Sequence, residues 1–419
     1  IDFHSDMNPV LLKPENTIGS QIILNGKKYK SLKAREYYSH KDEFLAIAIK
    51  SFRNLLNKFD LVIAEGAGSL AEVNLRKSDI ANMGFATELG IPVIVVADIE
   101  RGGVIAQIIG TKEVLDQKDI NLIEGFIINK FRGDQSLFDD GVAFINNKTD
   151  WKSFGVMPFF DKAKLFPAED SQDLKNSFGT GKCVISVLKL SRIANFDDFD
   201  PLKIDKRLKL RFVEAGNPIP ADTNLIIIPG TKSTIADLNF LKCQGWDIDI
   251  RAHLRRGGFI LGICGGFQIL GNEITDDQGY DGIPSNAKGL GLLDVQTIMG
   301  KEKNLGKKEF ISTVNGKKIS GYEIHLGITS GNDCNKPFAT LRGRKDGAIS
   351  SNGLVMGTYL HGLFFSDEFR NKFVTKISGN EKEENVYFND NIEYILEEFV
   401  NVLEENLDVD SMLSTARNI

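Results

Sequence analysis

The sequence predicts an α/β protein built from two successive parallel-sheet domains. Short, almost continuous apolar runs at 92–97 and 125–128 alternate with stretches of helical periodicity, the pattern of strands covered on both faces by helices. The alternation starts afresh at Cys183–Leu188 and continues through Leu225–Ile228. Within this second set, the apolar run 258–261 stops at Gly262-Ile263-Cys264-Gly265-Gly266 and resumes at 267–270. That is a strand, a tight turn and a helix arranged around a cysteine.

A chain of 419 residues is long enough for two or three domains, each with its own core. Its 42% hydrophobic and 26% charged content is ordinary for a globular protein. A net charge of −6 and a pI near 5.6 argue against a nucleic-acid partner. The longest apolar runs are too short to span a bilayer, and no secretory signal opens the chain. The four cysteines, Cys183, Cys243, Cys264 and Cys334, form no C-x-x-C pair, which suits a reducing, cytoplasmic setting. The chain opens at Ile1 and meets a motif almost at once, so it reads as one whose N-terminal piece is absent.

Residues 1–40 read as loops and short strands, with a hairpin at 22–29 turning on Asn25-Gly26. A helix is expected over 41–59, with Leu45, Ile49, Phe52, Leu56 and Phe59 on one face. Strands are expected at 61–64, ending in Glu65; at 92–97, capped by Asp98; at 125–128, leading into Asn129 and Arg132; and at 154–157. Ligands of parallel sheets bind beyond the carboxyl ends of the strands, so Glu65, Asp98, Asn129 and Arg132 mark a first candidate site. Residues 161–181 read as a linker. Gly179-Thr180-Gly181-Lys182 is not a phosphate loop, since it lacks the spaced upstream glycine and the following hydroxyl, and it precedes a strand. The second domain adds β-rich stretches around 308–343 and a strand at 355–360 that delivers His361. The tail carries Ile392, Ile395, Leu396, Phe399 and Leu403 at helical spacing, a face expected to pack on the body of the protein.

Cys264 is the candidate nucleophile. Flanking glycines permit a tight backbone path, and a helix N-terminus favours thiolate and developing oxyanion. A buried structural cysteine in a Gly-rich turn is the plainer alternative. A thiol nucleophile needs a base, and of the five histidines (His4, His40, His253, His325 and His361) His361 ends an apolar strand and precedes a glycine. Oxyanion donors are expected from the N–H of Gly265 and from the Pro229-Gly230-Thr231 turn.

Pro229-Gly230-Thr231, Gly262–Gln268 as a stretch, and Thr358-Tyr359-Leu360-His361-Gly362 resemble the oxyanion strand, nucleophile elbow and histidine strand of class I glutamine amidotransferases. The resemblance implies that Cys264 forms a thioester with glutamine, that His361 is the base, and that Gln268 lies near the bound glutamine. The superfamily's common His-x-Glu has Leu363 at its third position here, a departure typical of the cobyrinic-acid amidase branch. What fixes the His361 tautomer is left open. In the N-terminal half, the stretches 7–14, 65–69, 74–76 with 79–82, 96–103 and 129–134 resemble the cobyric acid synthase family, as do 194–202 and 321–325.

The resemblance implies a dethiobiotin-synthetase-like parallel-sheet domain at 1–165, incomplete at its N-terminus, then a class I glutamine amidotransferase domain at 181–370 and a helical tail at 371–419. It implies ATP and Mg²⁺ with no tightly bound prosthetic group. Glu65 would help hold Mg²⁺, Asp98 would sit near phosphates or substrate, and Asn129 near the nucleotide base. The reaction implied is ATP-dependent amidation of peripheral carboxylates of (adenosyl)cobyrinic acid a,c-diamide with ammonia from glutamine. The small-molecule partners would be glutamine, ATP and a corrinoid, the last a substrate and not a cofactor. No nucleic-acid or membrane partner is implied, and a homo-oligomer is left open. The family's phosphate loop, ending Gly-Lys-Ser/Thr, occurs nowhere in this chain. It is therefore expected to be a fragment, or a protein that has lost ATP chemistry, and its ATP-dependent step is in doubt. Alternatives are cobyrinic acid a,c-diamide synthase or a peptidoglycan-type amidotransferase of the same branch, against which 7–14 and 195–202 speak. An alternative of another class is a non-catalytic corrinoid- or partner-binding remnant, against which the intact Cys264 and His361 speak.

Overall fold

A computed structural model describes residues 4–14, 19–166, 177–380 and 385–416. The expected linker's middle, 167–176, and the first three residues lie outside that range. The chain divides into two units, residues 1–160 with 396–419, and residues 161–395.

The first unit opens with an antiparallel sheet of β1 (Val10–Pro14), β2 (Gly19–Leu24) and β3 (Lys27–Lys33). Asn25 and Gly26 both take positive φ between β2 and β3, the turn that an Asn-Gly pair favours. The helix Lys41–Leu56 follows, but its buried stripe is Phe44, Ser51, Phe52 and Leu55. The expected stripe through Leu45 and Ile49 is thus rotated by about one residue. Phe44 decides this, being wholly buried against Ile22 and Leu32.

The parallel sheet of this unit is β4 (Val93–Asp98), β5 (Ile123–Phe131) and β6 (Lys152–Pro158) in that order. The run 61–64 forms no strand, contrary to its apolar composition. Ile63 is 85% exposed and Val96 of β4 60%, and among the described residues β4 pairs only with β5. A strand needs a hydrogen-bonded neighbour, and hydrophobicity cannot replace it. The tail helix Phe388–Asn406 lays Phe399, Val402 and Leu403 over Ile127, Phe154 and Met157 of this sheet, and Leu407 and Met412 complete the cluster.

The second unit holds a seven-stranded sheet. Its strands are β7 (Ser177–Phe178), β8 (Cys183–Leu188), β9 (Leu208–Val213), β10 (Leu225–Ile228), β11 (Phe259–Ile263), β18 (Ala348–Ile349) and β19 (Val355–Thr358), in the order β18-β19-β11-β10-β8-β9-β7. The five central strands, β19 to β9, are parallel, and every residue of β8, β10 and β19 is buried, as strands covered on both faces must be. A second sheet carries β12 (Glu273–Asp276), β13 (Ser285–Lys288), the long β14 (Gln296–Ser312) and β15 (Lys318–Ser330), and β20 (Leu360–His361), with the short β16 (Ala339–Leu341) and β17 (Arg344–Asp346) paired beside β14. The expected strand 355–360 is therefore broken. β19 stays in the parallel sheet, while β20 crosses over and pairs antiparallel to β15, matching Tyr322 with His361.

Candidate active site

β10, β11 and β19 end side by side, and each end carries one part of the site. After β11 the backbone turns at Cys264 with φ 53° and ψ −111°, a strained conformation for a residue with a Cβ, and continues as the helix Gly265–Leu270. The neighbouring glycines are required by space. A Cβ on Gly262 would stand 2.5 Å from the Gly266 carbonyl oxygen, and one on Gly266 would stand 2.0 Å from that of Ile228. The Cys264 N–H donates to the Thr358 carbonyl at 2.8 Å, tying the turn to β19. Its thiol donates to the Ile324 carbonyl at 3.5 Å.

The turn after β10 closes on the same point. Gly265 backs onto Thr231, where a Cβ would meet the methyl at 2.6 Å, and Gly230 faces the His361 ring, where a Cβ would stand 2.8 Å from Cε1. Cys264, Gly265, Gly230 and His361 are therefore brought together. Gln268 lies one helical turn after Cys264, 2% exposed. Its carboxamide accepts from Thr234 Oγ1 at 3.0 Å and donates to the Leu326 carbonyl at 2.9 Å and Tyr359 Oη at 3.1 Å. These bonds lock helix, β15 and β20 junction into one wall.

His361 is 1% exposed, and its Nδ1 lies 2.7 Å from Asp198 Oδ2. The Gly362 N–H donates to the other oxygen of the same carboxylate at 2.6 Å. Nε2 is buried with no hydrogen-bond partner among the described residues, and it is the nitrogen left for chemistry. Burial works against a charged ring, but Asp198 and the neighbouring Cys264 outweigh it and push His361 up to about 10. Tyr322 stacks on the imidazole with centroids 5.4 Å apart and planes at 19°. A second histidine, His325, stacks on Tyr359 at 3.7 Å, and burial pushes it down to about 4, so it is neutral.

Asp198, Tyr322 and His325 carry no role in the sequence reading. Asp198 sits in the 194–202 stretch, but 163 residues separate it from its histidine, so no spacing rule could pair them. The other histidines stand apart. His253 bonds the Phe259 carbonyl, His40 pairs with Glu43, and His4 caps a short turn.

The strand ends of the first unit form an ion-pair cluster. Lys130 Nζ meets Asp98 Oδ2 at 2.7 Å, the Glu100 N–H donates to Asp98 Oδ1 at 2.8 Å, and Arg132 binds Glu100 at 2.6 Å. The Lys130 bond first, and with it the Glu100 N–H, hold the Asp98 carboxyl below the usual range. Asn129 is the register partner of Asp98, and its side-chain oxygen accepts from the Lys130 N–H. Glu65 is exposed. Magnesium needs several oxygen ligands in near-octahedral geometry. Among the described residues no three His, Cys, Asp or Glu side chains converge, and a magnesium ion carried by a nucleotide takes only one or two carboxylates beside phosphate oxygens and water.

Residues 184–369 match the family of CobB/CobQ-like glutamine amidotransferase domains, and residues 22–164 match an AAA domain. A cobyric acid synthase of Bradyrhizobium diazoefficiens is 50% identical over 100% of this chain and 86% of its own length. One of Cereibacter sphaeroides is 49% identical over 99% of this chain and 85% of its own, and one of Rhodobacter capsulatus 48% over 99% and 85%. Among the described residues no helix is long and apolar enough to cross a membrane. With half its residues shared along its whole length, and an amidotransferase domain match over the unit that carries Cys264, the chain belongs to the cobyric acid synthase family.

Proposed function

We propose that the protein amidates peripheral carboxylates of (adenosyl)cobyrinic acid a,c-diamide, using ATP and the ammonia that its second unit releases from glutamine. Near-full-length identity to the family carries the choice of substrate. The convergence of Cys264, His361, Gly230 and Gly265 supports the ammonia-producing half.

With the imidazole pushed up to about 10, His361 Nε2 holds the proton drawn from the Cys264 thiol before Sγ attacks the glutamine carboxamide carbon. The carbonyl oxygen gathers charge against the Gly265 N–H and the Gly230 turn. The C–N bond then breaks as His361 returns the proton to the leaving nitrogen, giving ammonia and a γ-glutamyl thioester. Water attacks the thioester with His361 as base, releasing glutamate and restoring the thiol. A raised imidazole pKa suits a group that must take a proton from a thiol and keep it until the amine leaves.

In the amidation step, the corrinoid carboxylate would take the γ-phosphoryl group of ATP with release of ADP, and ammonia would then displace phosphate from the resulting acyl phosphate to leave an amide. Asp98, Lys130 and Arg132 supply charge at the strand ends where phosphates and substrate would bind. Glu65 offers one carboxylate to the Mg²⁺ that accompanies ATP. Phosphate oxygens and water would supply the rest of the magnesium shell.

The test is the whole gene product supplied with glutamine, ATP and the corrinoid diamide, followed by mass spectrometry. The expected result is one mass step per amide formed, dependent on both ATP and glutamine. Glutamine hydrolysis with no change of corrinoid mass would overturn the substrate assignment.

A further inference from the structure

A catalytic imidazole needs one nitrogen free for the reacting proton and the other fixed by an acceptor that sets tautomer and ring orientation. Where the acid two residues after the histidine would supply that acceptor, this chain has Leu363, wholly buried and apolar. The acceptor comes instead from the start of the unit. Asp198 reaches His361 Nδ1 with one oxygen at 2.7 Å and the Gly362 N–H with the other at 2.6 Å. One carboxylate thus holds both the ring and the peptide that follows it. Both side chains are 1% exposed, so neither bond is shared with bulk water.

Three aspartates crowd this segment, and their partners separate them. Asp200 is taken by Lys203 in a buried ion pair. Burial, with Asp198 next to it, pushes Asp197 up. Only Asp198 is within hydrogen-bonding reach of the imidazole. Its backbone is set for this purpose. Asn195 takes φ 54°, in the left-handed region, and its carbonyl accepts the Asp198 N–H at 3.0 Å. The Asn195 side chain donates to Tyr322 Oη at 2.6 Å, and that ring covers the imidazole face. One residue earlier, the Ala194 N–H donates to the Gly230 carbonyl at 2.9 Å. The stretch 194–198 therefore touches the histidine, its stacking partner and the oxyanion turn together.

We propose that Asp198 is the positioning residue of the glutaminase site, holding His361 as the Nδ1–H tautomer with Nε2 toward Cys264, and that Asn195 and Tyr322 hold the ring from its face. The proposal rests on Cys264 and His361 being the reacting pair. Asp198 touches neither glutamine nor sulfur. It acts through the imidazole, and its removal is read in kcat and in pH dependence more than in KM.

The experiment compares Asp198→Asn, Asp198→Glu and His361→Ala in the whole protein by glutamine hydrolysis and by the pH profile of Cys264 alkylation with iodoacetamide. Asp198→Asn is expected to lower kcat on the order of 10²-fold or more with KM little changed, and to move the alkylation profile. Asp198→Glu is expected to recover part of the loss. Asp198→Asn within about threefold of wild type, with an unmoved profile, overturns the proposal. If His361→Ala itself hydrolyses glutamine normally, the reacting pair is wrong and the positioning role falls with it. Should Asp198→Asn fail to fold, the unaltered protein decides. Its ¹⁵N-histidine spectrum is expected to show the His361 proton lost from Nε2 as pH rises, with Nδ1 still protonated. Loss from Nδ1 overturns the proposal.

Discussion

Replacing Gly230 by alanine probes the closest approach in the site. The Gly230 backbone lies outside the left-handed region, so the substitution acts through space alone. The added Cβ would stand 2.8 Å from His361 Cε1. Carbon atoms rest at about 3.5–4.0 Å, so ring or turn must yield by roughly 0.7–1.2 Å. The ring cannot withdraw freely, since Asp198 grips Nδ1 at 2.7 Å and Tyr322 is stacked on its face. The turn cannot either, since the Gly230 carbonyl holds the Ala194 N–H at 2.9 Å. Overpacking of this kind costs about 1–3 kcal/mol, and a misplacement near 1 Å at a reacting group costs on the order of 10²-fold in rate. Gly230→Ala is therefore expected to lower the kcat of glutamine hydrolysis about 10²-fold while losing about 1–3 kcal/mol in urea unfolding. A kcat within about threefold of wild type, with an unmoved unfolding midpoint, would show that the turn does not abut the histidine and would refute the reasoning.

Cys264→Ala is expected to abolish glutamine hydrolysis and thioester trapping while leaving amidation with added ammonium intact; unchanged hydrolysis would remove the nucleophile. Arg76 makes a bidentate pair with the buried Asp119 at 2.6 and 2.7 Å. Arg76→Ala strands that carboxylate and is expected to cost about 3 kcal/mol in urea unfolding, with Arg76→Lys recovering part; a loss under about 1 kcal/mol would contradict it. Burial pushes Asp346 up to about 7, against hydrogen bonds from Thr358 and the Tyr359 N–H. An acid with a raised folded pKa keeps its proton in the native state, so stability falls as pH rises from about 4, where the unfolded group ionises, to about 7. Asp346→Asn should flatten the stability profile over that window, and an equal slope in variant and wild type would count against it.

What the sequence made legible was whatever depends on local composition. Apolar runs located β4, β5, β6, β8, β10 and β11, and a Gly-flanked cysteine between strand and helix marked the elbow. The run 61–64 failed because strand formation depends on a neighbouring backbone, which composition does not report. The stripe of Lys41–Leu56 was misjudged by one residue, since Leu45 and Ile49 fit the helical period as well as Phe44 does. Only the sheet packed against that helix chooses between them. Breaking 355–360 into β19 and β20 follows from which sheet accepts His361, a pairing with Tyr322 set by distant register. Asp198 was hidden for the same reason. Its chemistry depends on a contact across most of the second unit, and the local spacing after His361 pointed instead to an apolar leucine.

The central claim is that glutamine bound at Cys264 is the source of the amide nitrogen in the corrinoid product. It is tested most directly by giving the whole gene product ATP, the corrinoid diamide and glutamine labelled with ¹⁵N at the carboxamide. The expected product carries ¹⁵N in each new amide, while Cys264→Ala transfers no label from glutamine yet still forms amides from added ammonium. Unlabelled amides from the wild-type protein, or labelled amides from Cys264→Ala, would contradict the claim.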